Sequence, residues 1–371
     1  MRFKELDGLR GIAVLAVMVQ HYLSWLPATG ARHGWLGVDL FFVLSGFLIT
    51  SILVKMRGQE NYFPVFYGRR ALRIFPVYFL MLAIYLAVSL LSGVPGTLSL
   101  WAQYVFFYTS LFVGQPPELK LVVIAPVQLG LGVLWSLSVE ELYYSFWAPI
   151  VRYTTQKVFA LILLAMIVAA PIFRFWLHTP DYPEFYTFYC RMDALAYGSI
   201  VALLMHARQQ DIVKWQPFDR RFDLAGIVVG VAAFALWVLL KGEQSNRLFA
   251  TLGLVLADVG LALLVFAVLR KSGGSSWWLR ALRVRWLRSV GMVSFSLYLI
   301  HYPVLYIATR WVGAWELSRH SEAVTQTLVA AALSFCIAYA LWYAMESRIL
   351  NWKDRHVPSN HAEPVFVSAR S

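Results

Sequence analysis

Residues 35–54 read WLGVDLFFVLSGFLITSILV, twenty residues with one ionisable group, Asp39. A helix needs about 20 apolar residues to cross roughly 30 Å of hydrocarbon, so this run predicts a membrane span. The same signal recurs outward in both directions, at about 8–27, 73–93, 139–153, 157–175, 191–207, 223–241, 248–269, 289–311 and 325–347. An aromatic stretch from Leu98 to Val113 stands apart as a segment that lies at the outer interface or dips into it. Composition agrees: 60% of the 371 residues are hydrophobic and 14% are charged, with a mean hydropathy of +0.62. Too few polar residues remain to cover one aqueous core, so the partner of this chain is the lipid bilayer.

The net charge of +12 is therefore a topology signal and carries no expectation of nucleic acid. With the N-terminus inside and ten crossings, most of the 32 Lys and Arg residues fall on the cytoplasmic side. A crossing at Leu98–Val113 would turn the later basic clusters outward. The expected fold class is all-α, a polytopic transmembrane bundle of about ten helices with both termini cytoplasmic. Its transmembrane domain covers 1–350, segment 94–138 forms an external loop, and 351–371 is a disordered cytoplasmic tail. The opening MRFKELDGLRG has no small-residue cleavage site and reads as a retained first helix. Cys190 and Cys336 give neither a disulfide framework nor metal spacing, and no metal is expected. No inverted repeat of the transporter kind is visible.

Ionisable groups inside lipid-spanning runs are functional candidates, since a central charge costs about 2.5–3.5 kcal/mol on insertion scales. Arg10 lies near the inner end of the first span. His21 lies roughly 20 Å above its start, at 1.5 Å per residue. Counted from the inner end of the second span, Asp39 lies at about 17–24 Å, and His301, 12 residues past Ser289, at about 18 Å. A carboxylate beside a histidine fixes its tautomer, as a general base for a hydroxyl requires. The plain alternative is a His–Asp pair that locks two helices. Glu140 and Glu141 open the fourth span from outside, near that level, where a carboxylate also complements a helix dipole. At the inner end of the third span, FYGRRALRIFPVY (66–78) carries Arg69, Arg70 and Arg73. Arg70 and Arg73 share a helix face, and guanidinium forks suit phosphate. Positive-inside anchoring is the plain reading of this run, but Arg10 ends at the same level, so three arginines converge on one candidate anion site.

As a set, these residues resemble the acyltransferase-3 family of membrane acyltransferases. The matching pieces, in the family's order, are LDGLRGIAVLAVMVQHY with Arg10 and His21, GVDLFFVLSGFLI (37–49), FYGRRALRIFPVY, LWSLSVEELYY (134–144) and SFSLYLIHYPV (294–304), within a resemblance that spans residues 1 to about 347. LYY stands after the glutamates where the family often has QFY. The resemblance implies a ten-helix bundle in the bacterial inner membrane that moves an acyl group, commonly acetyl, from cytoplasmic acyl-CoA to a hydroxyl. Acceptors in the family include envelope saccharides, peptidoglycan and small molecules. It implies that His21 is the essential histidine, that Arg10, Arg70 and Arg73 serve the donor, and that Glu141 matches the second glutamate of its block. With Asp39 these form the expected catalytic set, His21, Asp39 and Glu141, while Glu140 and His301 border the acceptor. Some members add a C-terminal extracytoplasmic domain. No such domain is expected after these spans, so transfer is expected within the membrane domain or with a partner. Histidines and carboxylates inside a bundle also describe a proton-coupled transporter or flippase, which the inner arginines do not require.

Overall fold

The computed structural model describes residues 3–23, 25–26, 33–91, 97–111, 122–124, 127–129, 131–179, 183–210, 216–239, 246–315 and 318–357. Residues 94–96, 112–121, 125, 126 and 130 of the expected external loop and residues 358–371 of the expected tail lie outside them. The described chain is helical apart from one antiparallel hairpin, β1 (Val122–Ile124) with β2 (Val127–Leu129).

The first helix α1 (Lys4–Tyr22) packs along α2 (Leu36–Met56), and α3 (Tyr62–Leu91) follows. Five helices among the described residues are long and apolar enough to cross a membrane: α2, α3, α6 (Gln156–Leu177), α9 (Leu254–Arg270 with the π turn Phe249–Gly253 before it) and the C-terminal helix from Arg319 to His356. A sixth is counted if the bent pair α11 (Arg285–Met292) and α12 (Ser294–Gly313) is one span. The chain is thus a multi-pass membrane protein. Helices α1, α5 (Trp135–Tyr153) and α7 (Met192–Gln209) carry the ionisable residues that keep them below that threshold. The remaining helices are α4 (Thr97–Val105), α8 (Gln216–Leu239), α10 (Trp277–Leu282), α13 (Arg319–Leu341) and α14 (Ser347–His356).

Burial sorts these helices. Two-thirds of the α2 window is buried inside the bundle against 22% for α6, which turns Leu161, Leu164, Ile172 and Trp176 outward as a lipid face. Helix α2 lies against α7 closely enough that a Cβ at Gly46 would strike the Leu195 carbonyl oxygen, and one at Gly198 the Val43 carbonyl oxygen. Without small residues the two backbones would separate. Hydroxyl groups bridge the same interface: Trp147 Nε1 donates to Thr50 Oγ1 at 2.7 Å, and Thr50 Oγ1 to Ser199 Oγ at 2.7 Å.

Three features differ from the sequence expectation. The run 289–311 is two helices, bent by 74° at Val293, with Gly291 pressed on the backbone of Asp7. The aromatic stretch after Leu98 turns into the bundle: Trp101, Tyr104 and Phe107 are buried, Tyr78 donates its hydroxyl to the Tyr104 carbonyl at 2.8 Å, and Phe107 stacks on Tyr78 at 4.6 Å. Helix α14 runs to His356, past the boundary at 350, because Arg69 fastens its end to α3 through Asp354 (2.5 Å) and the Val357 carbonyl (2.8 Å).

Candidate active site

At the end of the bundle that holds the start of α1, the end of α2 and α14, a cavity of about 600 Å³ is lined by Asp7, Arg10, Lys55, Arg73, Glu346 and Lys353, among others. It shares Arg10, Leu48, Ile52, Arg73 and Phe295 with a deeper cavity of about 160 Å³. The deeper one adds Arg70, Ser45, Ser136, Glu140 and Tyr298. Arg10, Arg70 and Arg73 thus line one space, as their common depth predicts. The i, i+3 spacing of Arg70 and Arg73 puts both on that face of α3, while Arg69 points to α14.

Each of two arginines has a built support. Arg10 donates from Nε and Nη2 to Ser294 Oγ at 3.3 and 3.1 Å. Ser294 is the first residue of α12, so the bend at Val293 brings a helix N-terminus, with Ser294 and Phe295, to the cavity wall. Such a terminus favours anions through its unpaired N–H groups. Arg70 is held between Glu140 (3.3 Å) and Glu141 (3.6 Å), with its guanidinium 3.5 Å from the Tyr144 ring centroid. Glu140 also accepts from Ser45 Oγ at 2.8 Å and the Tyr144 hydroxyl at 2.7 Å. The two glutamates therefore belong with the arginines and not with the histidines, a correction to the expected depth.

The histidines meet directly. His21 Nδ1 lies 2.9 Å from His301 Nε2, with ring centroids 5.0 Å apart. His301 Nδ1 lies 2.7 Å from the Tyr298 carbonyl oxygen. A carbonyl only accepts, so the hydrogen sits on His301 Nδ1 and a neutral ring carries its lone pair on Nε2. His21 Nδ1–H then donates to that lone pair, and a neutral His21 keeps its own on Nε2. Pro303 shapes this helix. Lacking an N–H, it leaves the Leu299 carbonyl without its intrahelical partner, and the Tyr85 hydroxyl donates to it at 3.4 Å. The Tyr22 hydroxyl donates to the His301 carbonyl at 3.1 Å and meets Ser334 Oγ at 2.7 Å.

Tyr298 joins the two halves. It lines the deeper cavity, its ring centroid is 5.7 Å from that of His301, and its hydroxyl donates to the Val133 carbonyl at 2.9 Å. Neither cavity is itself lined by His21 or His301. Tyr298 thus stands between the deeper cavity that it lines and the His301 ring that it neighbours.

Asp39 has a different partner from the one expected. It forms an ion pair with Arg191, and both side chains are fully buried. Beside them Arg174 holds Asp193 in a two-pronged bond, Nη1–Oδ1 3.0 Å and Nη2–Oδ2 2.7 Å, again fully buried. Asp258 of α9 completes the group, fully buried, with no hydrogen bond to either carboxylate oxygen. This five-residue cluster between α2, α6, α7 and α9 is invisible to positive-inside counting, which places Arg174 and Arg191 in external loops. The signal was there as lone charges of opposite sign in neighbouring apolar runs. Asp39 therefore forms no pair with His21, as either reading expected, but ties α2 to Arg191 at the start of α7, and the His21 ring is set by His301. Among the described residues no group of three His, Cys, Asp or Glu is arranged to hold a metal.

Residues 3–343 match the family described as an acyltransferase domain. The chain is 26% identical over 359 residues to peptidoglycan O-acetyltransferase OatA of Listeria monocytogenes, covering 89% of this chain and 54% of that protein. It is 26% identical over 323 residues to O-acetyltransferase OatA of Staphylococcus aureus, covering 81% and 50%. The chain spans about half the length of these curated relatives. No solved structure matches. With the expected motifs in place along nearly its whole length, the chain belongs to the acyltransferase-3 family of membrane acyltransferases.

Proposed function

We propose that this chain is a membrane-bound O-acyltransferase that moves an acyl group, commonly acetyl, from cytoplasmic acyl-CoA to a hydroxyl of a cell-envelope saccharide. In this reading it crosses the bacterial inner membrane ten times with both termini cytoplasmic, and the names of the relatives favour peptidoglycan as the acceptor. The observation that carries the reading is the union of Arg10, Arg70 and Arg73 around one cavity also lined by Tyr298, whose carbonyl orients His301 and through it His21.

Arg10, Arg73 and the N-terminus of α12 bind the donor phosphates at the inner end, and Glu140 and Glu141 keep the Arg70 fork in register. The pantetheine arm passes up the deeper cavity and displaces the Tyr298 ring to reach the histidines. His21 Nε2 takes the proton of the acceptor hydroxyl, the alkoxide oxygen attacks the thioester carbonyl, and the C–S bond breaks. The CoA thiolate leaves and recovers the proton from the imidazolium. If His21 Nε2 attacks the carbonyl first, the same lone pair forms an acyl-imidazole that the acceptor then consumes. His301 Nε2 accepts from Nδ1–H throughout and stabilises the positive ring.

Protein reconstituted in liposomes is expected to release free CoA from acetyl-CoA when acceptor is present, and His21→Ala to release none. Substrate counterflow without acyl-CoA, together with no CoA release, would assign the bundle to transport instead.

A further inference from the structure

We infer that α14 adds a second phosphate subsite at the rim of the 600 Å³ cavity, centred on Lys353, which takes the phosphate monoester on the ribose of the donor nucleotide. The inference rests on the reading of this cavity as the acyl-CoA site. Lys353 lies beyond the residues that match the family, which end at 343.

The rim has more positive charge than its own carboxylates neutralise. The Lys353 ammonium lines the cavity with 12% of its side chain exposed and lies near enough to Arg69 and Arg73 to be repelled by both. One carboxylate oxygen, Asp354 Oδ1, serves two of these cations: Arg69 at 2.5 Å and Lys353 at 3.5 Å. The closer contact goes to Arg69, and the longer one lies at the outer limit of a hydrogen bond. Glu346, the other carboxylate of the C-terminal helices at this cavity, accepts from Ser296 and faces Arg73 and Arg10 further in. Two cations, Arg69 and Lys353, share the one Asp354 carboxylate at the α3–α14 seam, an excess of positive charge that suits a dianion of small radius. Asn351 and Ser347 on the same helix offer uncharged hydrogen bonds beside it. A cavity of this size is in the range that holds a nucleotide-sized ligand. The arginine trio lies deeper, so a donor held there by its pyrophosphate would leave its ribose phosphate at the rim.

Phosphate chemistry at this level also belongs to lipid headgroups, and the test separates the two sources. Dissociation constants of acetyl-CoA and of acetyl-dephospho-CoA, which lacks the ribose phosphate, are measured by titration calorimetry on the full chain in phosphatidylcholine nanodiscs. The expected result is about tenfold tighter binding of acetyl-CoA by the wild type, the scale of one charge-assisted contact. Lys353→Gln should remove that preference while leaving acetyl-dephospho-CoA binding unchanged, and Arg355→Gln, on the exposed side of α14, should keep it. Equal binding of both probes by the wild type, or a preference that survives Lys353→Gln, overturns the subsite. So does a Lys353→Gln effect that appears only in nanodiscs containing phosphatidylglycerol, which would assign the phosphate to lipid. A wild type that binds neither probe overturns the donor reading itself.

Discussion

His21 Nδ1 and His301 Nε2 stand 2.9 Å apart, and this contact between two imidazoles sets the tautomer of the His21 ring. The neighbouring hydrogen bond from His301 to the Tyr298 carbonyl gives the chain of donors a single direction, ending in a lone pair on His21 Nε2. In the proposed reaction His301 is a positioning residue. His301→Phe removes the acceptor and is expected to lower kcat by about 10²-fold while leaving the KM for acetyl-CoA near the wild-type value. His301→Gln offers an amide oxygen to His21 and an amide N–H to the carbonyl, and should recover part of the loss. Steady-state kinetics of the two variants, with equal membrane levels, check this.

The buried charges of α2, α6, α7 and α9 make the second prediction. Asp39→Asn leaves the Arg191 guanidinium without its carboxylate in a fully buried position, at a cost of about 3–5 kcal/mol. Asp258→Asn removes the carboxylate of the cluster that neither Arg174 nor Arg191 pairs with, since these face Asp193 and Asp39, and should change stability by less than about 1 kcal/mol. Thermal unfolding in detergent should show a large drop in Tm for the first and little for the second. The surviving folded fraction of Asp39→Asn should keep its specific activity, which a catalytic Asp39 would not allow.

Arg70 sits in a planar setting: two carboxylates at its edge and the Tyr144 ring on its face. A lysine ammonium cannot serve both carboxylates and stack. Arg70→Lys should therefore raise the donor KM by at least about tenfold, close to Arg70→Ala, with donor titration as the measurement.

Much of this site is visible in the sequence, and the part that is not has a physical cause. Helical rise predicts height along a bundle, so the convergence of Arg10, Arg70 and Arg73, and the common level of His21 and His301, follow from counting residues. Rise says nothing about which way a side chain faces. Asp39 shares a level with His21 yet turns to Arg191, and Glu141 reaches Arg70. The bend at Val293 is hidden as well, since no proline stands there and apolar residues run across it; the close approach of Gly291 to Asp7 is a tertiary fact. Positive-inside counting assumes that arginines near span ends are solvated, which fails for Arg174 and Arg191 because their partners lie on other helices.

In the proposed reaction the lone pair on His21 performs the transfer. Mass spectrometry of envelope glycans from cells carrying either the wild type or His21→Ala at equal membrane levels tests it most directly. O-acyl esters on the glycan should disappear in the variant. Esters retained at the wild-type level would contradict it.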